Sequence, residues 1–93
     1  MDMQPVYTRI KRKTDEGDVA GALLLVNEAL ATNGEEAYLL YLKGKIHLKT
    51  GDWREATHCF LHSKALDENG PAGEAIELVR NIMEFYNKDL YNP

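Results

Sequence analysis

Cysteine and long apolar runs are scarce in this 93-residue sequence, and each scarcity excludes a class of protein. The single cysteine, Cys59, excludes an internal disulfide, so a packed core must hold the fold together. The longest apolar run, "ALLLV", is far too short to span a bilayer. The first segment also lacks the apolar stretch of a signal peptide. We therefore expect one soluble, cytoplasmic domain with no membrane association.

Strand-like alternation of apolar and polar residues is nearly absent, whereas helical spacing is frequent. Five helical segments can be marked along the chain. Gly17 and Gly51 stand where helices must stop, and each is followed by an aspartate suited to cap the next helix. Glu55 stands where a capping box places its carboxylate, and Pro71 suits the first position of a closing helix. The sequence thus predicts an all-α fold of two helical hairpins and one further helix.

The two hairpins have the same residues at their turns, at a constant spacing along the chain. Glycine, aspartate and alanine occur as Gly17, Asp18 and Ala22 and recur, with the same offset in all three cases, as Gly51, Asp52 and Ala56. Each glycine and aspartate join the end of one helix directly to the start of the next. The alanine falls one turn into the second helix, where a small side chain lets paired helices approach closely. We expect both hairpins to bend in the same way.

A helical hairpin that recurs with a period of about 34 residues resembles the tetratricopeptide repeat. The second hairpin has the family's small residues, turn and aromatic residues at the expected positions, which are Gly44, Gly51, Asp52, Trp53, Ala56 and Phe60. The first hairpin is a weaker match and has Ile10 at the position of Gly44. The ending of the chain resembles that of small single-domain bacterial members. The resemblance implies a right-handed α-solenoid fragment.

The resemblance also divides the chain into units. Repeat one covers about residues 3–36 and repeat two about residues 37–70. Because two repeats are fewer than usually stabilise a solenoid, residues 71–87 are expected to form a capping helix over the second hairpin. Residues 88–93 are expected to be a tail. The whole chain is then a single domain.

A function follows from the resemblance as an expectation, because family members bind peptides in a concave groove lined by the first helix of each pair. The matching positions hold tyrosine, lysine and leucine and are Tyr7, Lys11, Tyr38, Tyr41, Lys45, Leu48 and Lys49. Val79 and Met83 of the closing helix are expected to form a wall of this groove. Such a surface suits an acidic and apolar segment of a protein partner, without catalysis. The alternative is that the tyrosines pack between helices and the lysines extend into water.

The closing helix has more apolar residues than one neighbour can cover. One stripe is Ala75, Leu78, Ile82 and Phe85, and the other is Ile76, Val79, Met83 and Tyr86. We expect one stripe to pack on the fourth helix. The other lines the groove, is covered by Leu90 and Tyr91, or meets a second copy of the chain. A structural homodimer is therefore an alternative function.

The net charge of −4 is unevenly distributed. The segment "RIKRK" contributes basic residues at Arg9, Lys11, Arg12 and Lys13, whereas residues 14–93 hold fourteen acidic side chains and seven basic ones. A basic first helix could bind nucleic acid. The acidic remainder of the chain, and the lack of aromatic residues in that segment, make nucleic-acid binding the weaker alternative.

Histidine and cysteine are concentrated on the fourth predicted helix. His58 and His62 are four residues apart, a spacing at which two histidines can share a zinc ion, but Cys59 points elsewhere. His47 would have to approach from the preceding helix. We expect the histidines on the solvated convex side and Cys59 as a half-buried core residue, with no metal and no cofactor. Because no catalytic triad spacing or phosphate-binding loop stands out, we do not expect an enzyme.

Overall fold

The computed structural model describes the backbone of residues 2–91 and the side chains of residues 2–85, and this part of the chain contains helices and no β-strand. The helices are α1 (Gln4–Asp15), α2 (Val19–Asn33), α3 (Ala37–Lys49), α4 (Trp53–Leu66) and α5 (Ala72–Tyr91). Each helix packs on the next one along the chain, and α3 also contacts α1. The predicted all-α fold of five helices is therefore confirmed. None of the described helices is long and apolar enough to cross a membrane.

The same backbone motif ends α1 and α3. Gly17 and Gly51 have φ angles of 81° and 79°, in the left-handed region where a side chain is strained. The N–H of the aspartate after each glycine donates to a carbonyl five residues back, at 2.9 Å in the first hinge and 3.0 Å in the second. These hydrogen bonds define a Schellman motif at both helix ends. The two hinges therefore have the same geometry, as the repeated sequence predicts.

Both hinge aspartates cap the helix that follows. The carboxylate of Asp18 accepts a backbone N–H three residues on at 2.9 Å, and that of Asp52 accepts the N–H of Glu55 at 3.2 Å. The capping box predicted with Glu55 is only half formed, because the N–H of Asp52 already donates to the carbonyl of His47. The Glu55 carboxylate lies instead 3.7 Å from the ring of His58.

α3 lies at the centre of the molecule and buries residues on several sides. One core cluster joins α1, α2 and α3, and a second joins α4 and α5, with Tyr41 of α3 packed against both. Leu39 and Ile46 are fully buried in the first cluster. α3 therefore contacts its neighbours on more than one side. Ala22 and Ala56 are also fully buried, as expected where paired helices approach closely.

The two hairpins have different residues at one pair of equivalent positions between their paired helices. In the second hairpin, Gly44 of α3 lies against the fully buried ring of Phe60, and a β-carbon added at Gly44 would stand 2.5 Å from a ring atom. The equivalent positions in the first hairpin are Ile10 and Val26, both fully buried in the first cluster. The larger side chain thus comes from α4 in one hairpin and from α1 in the other.

α5 extends further than the sequence predicts. A capping helix is expected over residues 71–87, but α5 continues to Tyr91 and includes most of the predicted tail. The reason is that neither glycine nor proline interrupts the chain between Gly73 and Pro93. Residues 92–93 of the predicted tail lie outside the described residues.

The face of α5 that packs on α4 combines both predicted stripes. Ala72, Ala75 and Val79 are buried in the α4–α5 cluster, at spacings of three and four residues. The predicted division into two separate stripes is therefore wrong, because the rotation of α5 on its neighbour places the contact line between them. The side chains of Leu90 and Tyr91, expected as a cover, lie outside the described residues.

Candidate functional site

Four aromatic rings form a row across α1, α3 and α4, and we call Tyr7, Tyr38, Tyr41 and Phe60 the aromatic row. Successive ring centroids lie 4.6, 5.7 and 5.9 Å apart, distances at which aromatic contacts are favourable. The Tyr7 hydroxyl donates a hydrogen bond to the carboxylate of Glu36, which holds the first ring in place. Phe60 is fully buried at the other end. The row therefore anchors three half-buried tyrosines to the core.

Two lysines lie over tyrosines of the aromatic row. Nζ of Lys11 is 5.4 Å from the centroid of the Tyr38 ring, and Nζ of Lys45 is 5.8 Å from that of Tyr41. Both distances are within the range of cation–π attraction, and both lysines are exposed. Interaction with the Tyr38 side chain, chiefly its hydroxyl, raises the pKa of Lys11. Lys11 therefore carries a positive charge throughout the neutral pH range.

An open cavity of about 260 Å³ lies between α1 and α3 and is lined by Lys11, Thr14, Asp15, Tyr38, Tyr41, Leu42 and Lys45. A depression of about 250 Å³ adjoins it and is lined by Thr14, Asp15, Lys45, Leu48 and Lys49. We call these two concavities together the α1–α3 groove. It brings together six of the nine residues that are predicted to bind a peptide. A seventh, Tyr7, contacts the ring of Tyr38.

Three residues that line the α1–α3 groove were missed in the sequence-based prediction: Thr14, Asp15 and Leu42. Thr14 and Asp15 follow Lys11 by three and four residues, so they lie on the same face of α1. That spacing could have identified them. The Thr14 hydroxyl donates to the carbonyl of Ile10 at 2.8 Å, so it is satisfied within the helix. Asp15 is exposed and adds a negative charge to a groove that also holds Lys45.

Val79 and Met83 lie outside the α1–α3 groove, contrary to the prediction. Val79 is only 1% exposed and packs on α4, whereas Met83 is 41% exposed. Both border a different cavity, of about 300 Å³, between α4 and α5. The reason is that the packing face of α5 is turned toward α4. The predicted wall of the groove is therefore wrong for these two residues.

The two histidines of α4 each lie near a separate carboxylate. The ring of His58 is 3.7 Å from Glu55, and that of His62 is 3.1 Å from Glu35 in the α2–α3 connection. Side chains of α4 that are four residues apart thus face different partners. The structure gives no support to a shared metal ion between them.

Cys59 and His47 are closer than the sequence indicated. Cys59 is 5% exposed, more deeply buried than expected, and burial raises the pKa of its thiol. His47 of α3 does approach α4. A ring nitrogen of His47, a carboxylate oxygen of Glu55 and Sγ of Cys59 all lie within 4.8 Å of one another. These three atoms can hold a metal ion.

These observations define a class of protein: a small all-helical domain of two hairpins with matching hinges, a closing helix, and an open groove between α1 and α3. No protein-family model matches the sequence. No curated protein matches it either. The chain is similar to the Bacteroides fragilis protein BF1650, whose structure was solved by solution NMR. The identity is 34% and the TM-score 0.82, over 99% of this chain and 91% of that chain. The chain belongs to the same family as that protein.

Proposed function

We propose that this chain is a non-catalytic binding module of the tetratricopeptide-repeat type, and that its α1–α3 groove holds an acidic and apolar segment of a partner protein. The observation that carries the proposal is the pairing of Lys11 with Tyr38 and of Lys45 with Tyr41 in one open cavity. The regular offset between the matching hinges at Gly17 and Gly51 supports the assignment to the repeat class.

The α1–α3 groove offers two complementary kinds of contact. The tyrosine rings supply apolar area at a small cost in side-chain entropy, because each has few rotatable bonds. The ammonium groups supply attraction for carboxylates. Among the described residues, neither Lys11 nor Lys45 forms an ion pair, whereas Lys13 lies 3.5 Å from Asp18. The two groove lysines are therefore available to pair with a ligand.

The placement of the other basic residues favours a peptide over a nucleic acid. Lys11 lines the groove, Lys13 is paired with Asp18, and Arg9 borders a separate cavity that also includes Glu28. A phosphate backbone binds best to a continuous basic surface. Of these three side chains only Lys11 lies in the groove, and the other two each have an acidic residue nearby that weakens their attraction for phosphate.

The combined substitution of Lys11→Glu and Lys45→Glu is expected to abolish binding of an acidic peptide. It replaces attraction by repulsion on both sides of the groove, so we expect Kd to rise at least about tenfold, which corresponds to about 1.4 kcal/mol. Both side chains are exposed, so helicity should not change. Fluorescence anisotropy with a labelled peptide of alternating glutamate and leucine measures the affinity, and circular dichroism measures the helicity.

The matched control is Arg54→Glu with Lys64→Glu on α4. Both positions are exposed and outside the groove, and the change in net charge is identical. We expect this control to keep nearly all of its affinity. Unchanged affinity in the groove variant, or an equal loss in both variants, would contradict a specific role for the groove.

Asp15→Asn is expected to tighten binding of the same peptide. Asp15 lines the groove and repels an acidic ligand, so its neutralisation should lower Kd about two- to fivefold, as for removal of one exposed like charge. The control is Glu16→Gln, which removes the neighbouring exposed charge outside the groove lining. Weaker binding by the Asp15 variant, or equal gains in both, would place the acidic ligand elsewhere.

A further inference from the structure

We propose that His47, Glu55 and Cys59 form a binding site for one divalent transition-metal ion of the zinc class, between the end of α3 and the start of α4. The site is separate from the α1–α3 groove and independent of the function proposed for it. The proposal is based on an imidazole, a carboxylate and a thiol that come from two helices and lie close together.

The separations suit a tetrahedral ion after a small adjustment. Zinc binds sulfur at about 2.3 Å and nitrogen or oxygen at about 2.0–2.2 Å, so two ligand atoms on one ion lie about 3.5 Å apart. The three donor atoms here lie within 4.8 Å of one another. The His47 and Glu55 side chains are half-buried, whereas Cys59 is buried in the core. The remaining ångström of adjustment is therefore expected from His47 and Glu55.

The three proposed ligands make few other polar interactions in the folded chain. Among the described residues, the ring of His47 and the thiol of Cys59 have no hydrogen-bond or ion-pair partner. The Glu55 carboxylate is not used for the capping box and has only the exposed ring of His58 at 3.7 Å. Metal binding would therefore break no interaction of the core.

The donor set indicates which ions fit. Thiolate and imidazole ligands favour zinc and similar ions over magnesium or calcium, which prefer oxygen ligands. Three protein ligands leave the fourth tetrahedral position open to water, because His47 and Glu55 reach the surface. Binding displaces the thiol proton of Cys59 to solvent. Burial raises the pKa of that thiol and the charge of Lys43 partly offsets the rise.

The position of the site has a structural consequence. His47 is in the last turn of α3 and Glu55 in the first turn of α4, so the ion would bridge the hinge at Gly51. An ion that binds the folded chain and not the unfolded one raises the melting temperature as its concentration rises. We therefore expect bound metal to stabilise the second hairpin.

The test uses the full chain without an affinity tag, reduced and stripped of metal, titrated with Co²⁺ as the probe. A thiolate ligand bound to Co²⁺ produces an intense charge-transfer absorption. Co²⁺ bound only by histidine does not produce this band, and neither does Mg²⁺. We expect this absorption to saturate at one equivalent, and Zn²⁺ to displace the Co²⁺. His47→Gln should weaken binding more than about tenfold, since even indirect ligand contacts contribute that much. Cys59→Ser should remove the charge-transfer band.

The control is His62→Gln, which removes a histidine of the same helix whose ring faces Glu35 and not a proposed ligand, and which should leave the affinity within about twofold. Circular dichroism establishes that each variant is folded. Because His47 is half-buried, its variant decides the outcome even if Cys59→Ser does not fold. Absence of the charge-transfer band in the unaltered chain, or equal affinity of the His47→Gln chain, would overturn the proposal. So would a loss on His62→Gln as large as that on His47→Gln.

Discussion

Replacement of Phe60 by alanine is expected to lower the free energy of unfolding by about 3–5 kcal/mol. The Phe60 ring is fully buried and shares a core cluster with Ala56 and Val79. It also ends the aromatic row against Tyr41. Removing the ring leaves a cavity where α3, α4 and α5 meet. Because domains are stable by only about 5–15 kcal/mol, this variant should unfold at much lower urea concentration.

Leu61→Ala provides the control for that measurement. Leu61 is the next residue of α4 and is 52% exposed, so its truncation should cost less than about 1 kcal/mol. Urea unfolding followed by circular dichroism compares the two variants under one condition. Equal losses of unfolding free energy in the two variants would mean that Phe60 does not stabilise the contact between α3 and α4. Phe60 would then not hold the end of the aromatic row in place.

Gly44→Ala is expected to destabilise the fold by about 1–3 kcal/mol, although alanine is the better helix former. The added β-carbon would stand 2.5 and 2.6 Å from two atoms of the Phe60 ring. That ring is fully buried, so it can move only if its neighbours move as well. The clash therefore forces α3 and α4 apart. Thermal and urea unfolding measure the loss.

Two further variants separate this clash from a general effect of glycine. Gly73 lies in α5, and no atom is within 4 Å of a β-carbon added there, so Gly73→Ala should stabilise by up to about 1 kcal/mol. In a Phe60→Leu background, Gly44→Ala should cost less than it does alone, because the clashing ring atoms are gone. A neutral Gly44→Ala, or equal costs in both backgrounds, would show that the helices do not meet closely at Gly44.

The two hinges could be predicted from the sequence because they depend only on residues that are close together along the chain. Gly17 and Gly51 need positive φ angles, and the aspartates that follow cap helices within three residues. No contact with a distant part of the chain is required. The same is true of Gly34, which ends α2 at a φ of 79°. Helix order and fold class followed from these stops and from apolar spacing.

The α1–α3 groove was partly predictable. Repeat positions identified six of its residues, because a regular repeat period places equivalent side chains on equivalent helix faces. Asp15 could have been added from its helical spacing to Lys11. The predictions for Val79 and Met83 were wrong because they needed the rotation of α5 about its own axis. Amphipathic spacing does not define that rotation when apolar residues cover much of a helix.

Local residue preferences were enough to predict the two hinges at which α1 and α3 end and α2 and α4 begin, the similar bend of the two hairpins, and which side chains share a helix face. These properties depend on backbone preferences and on residues within one turn of each other. Only the tertiary structure decided which faces meet: Phe60 against Gly44, the lysines over the tyrosines, and His47 beside Cys59. The physical reason is that side-chain volumes from different helices, summed across an interface, set how far each helix turns and how closely it approaches.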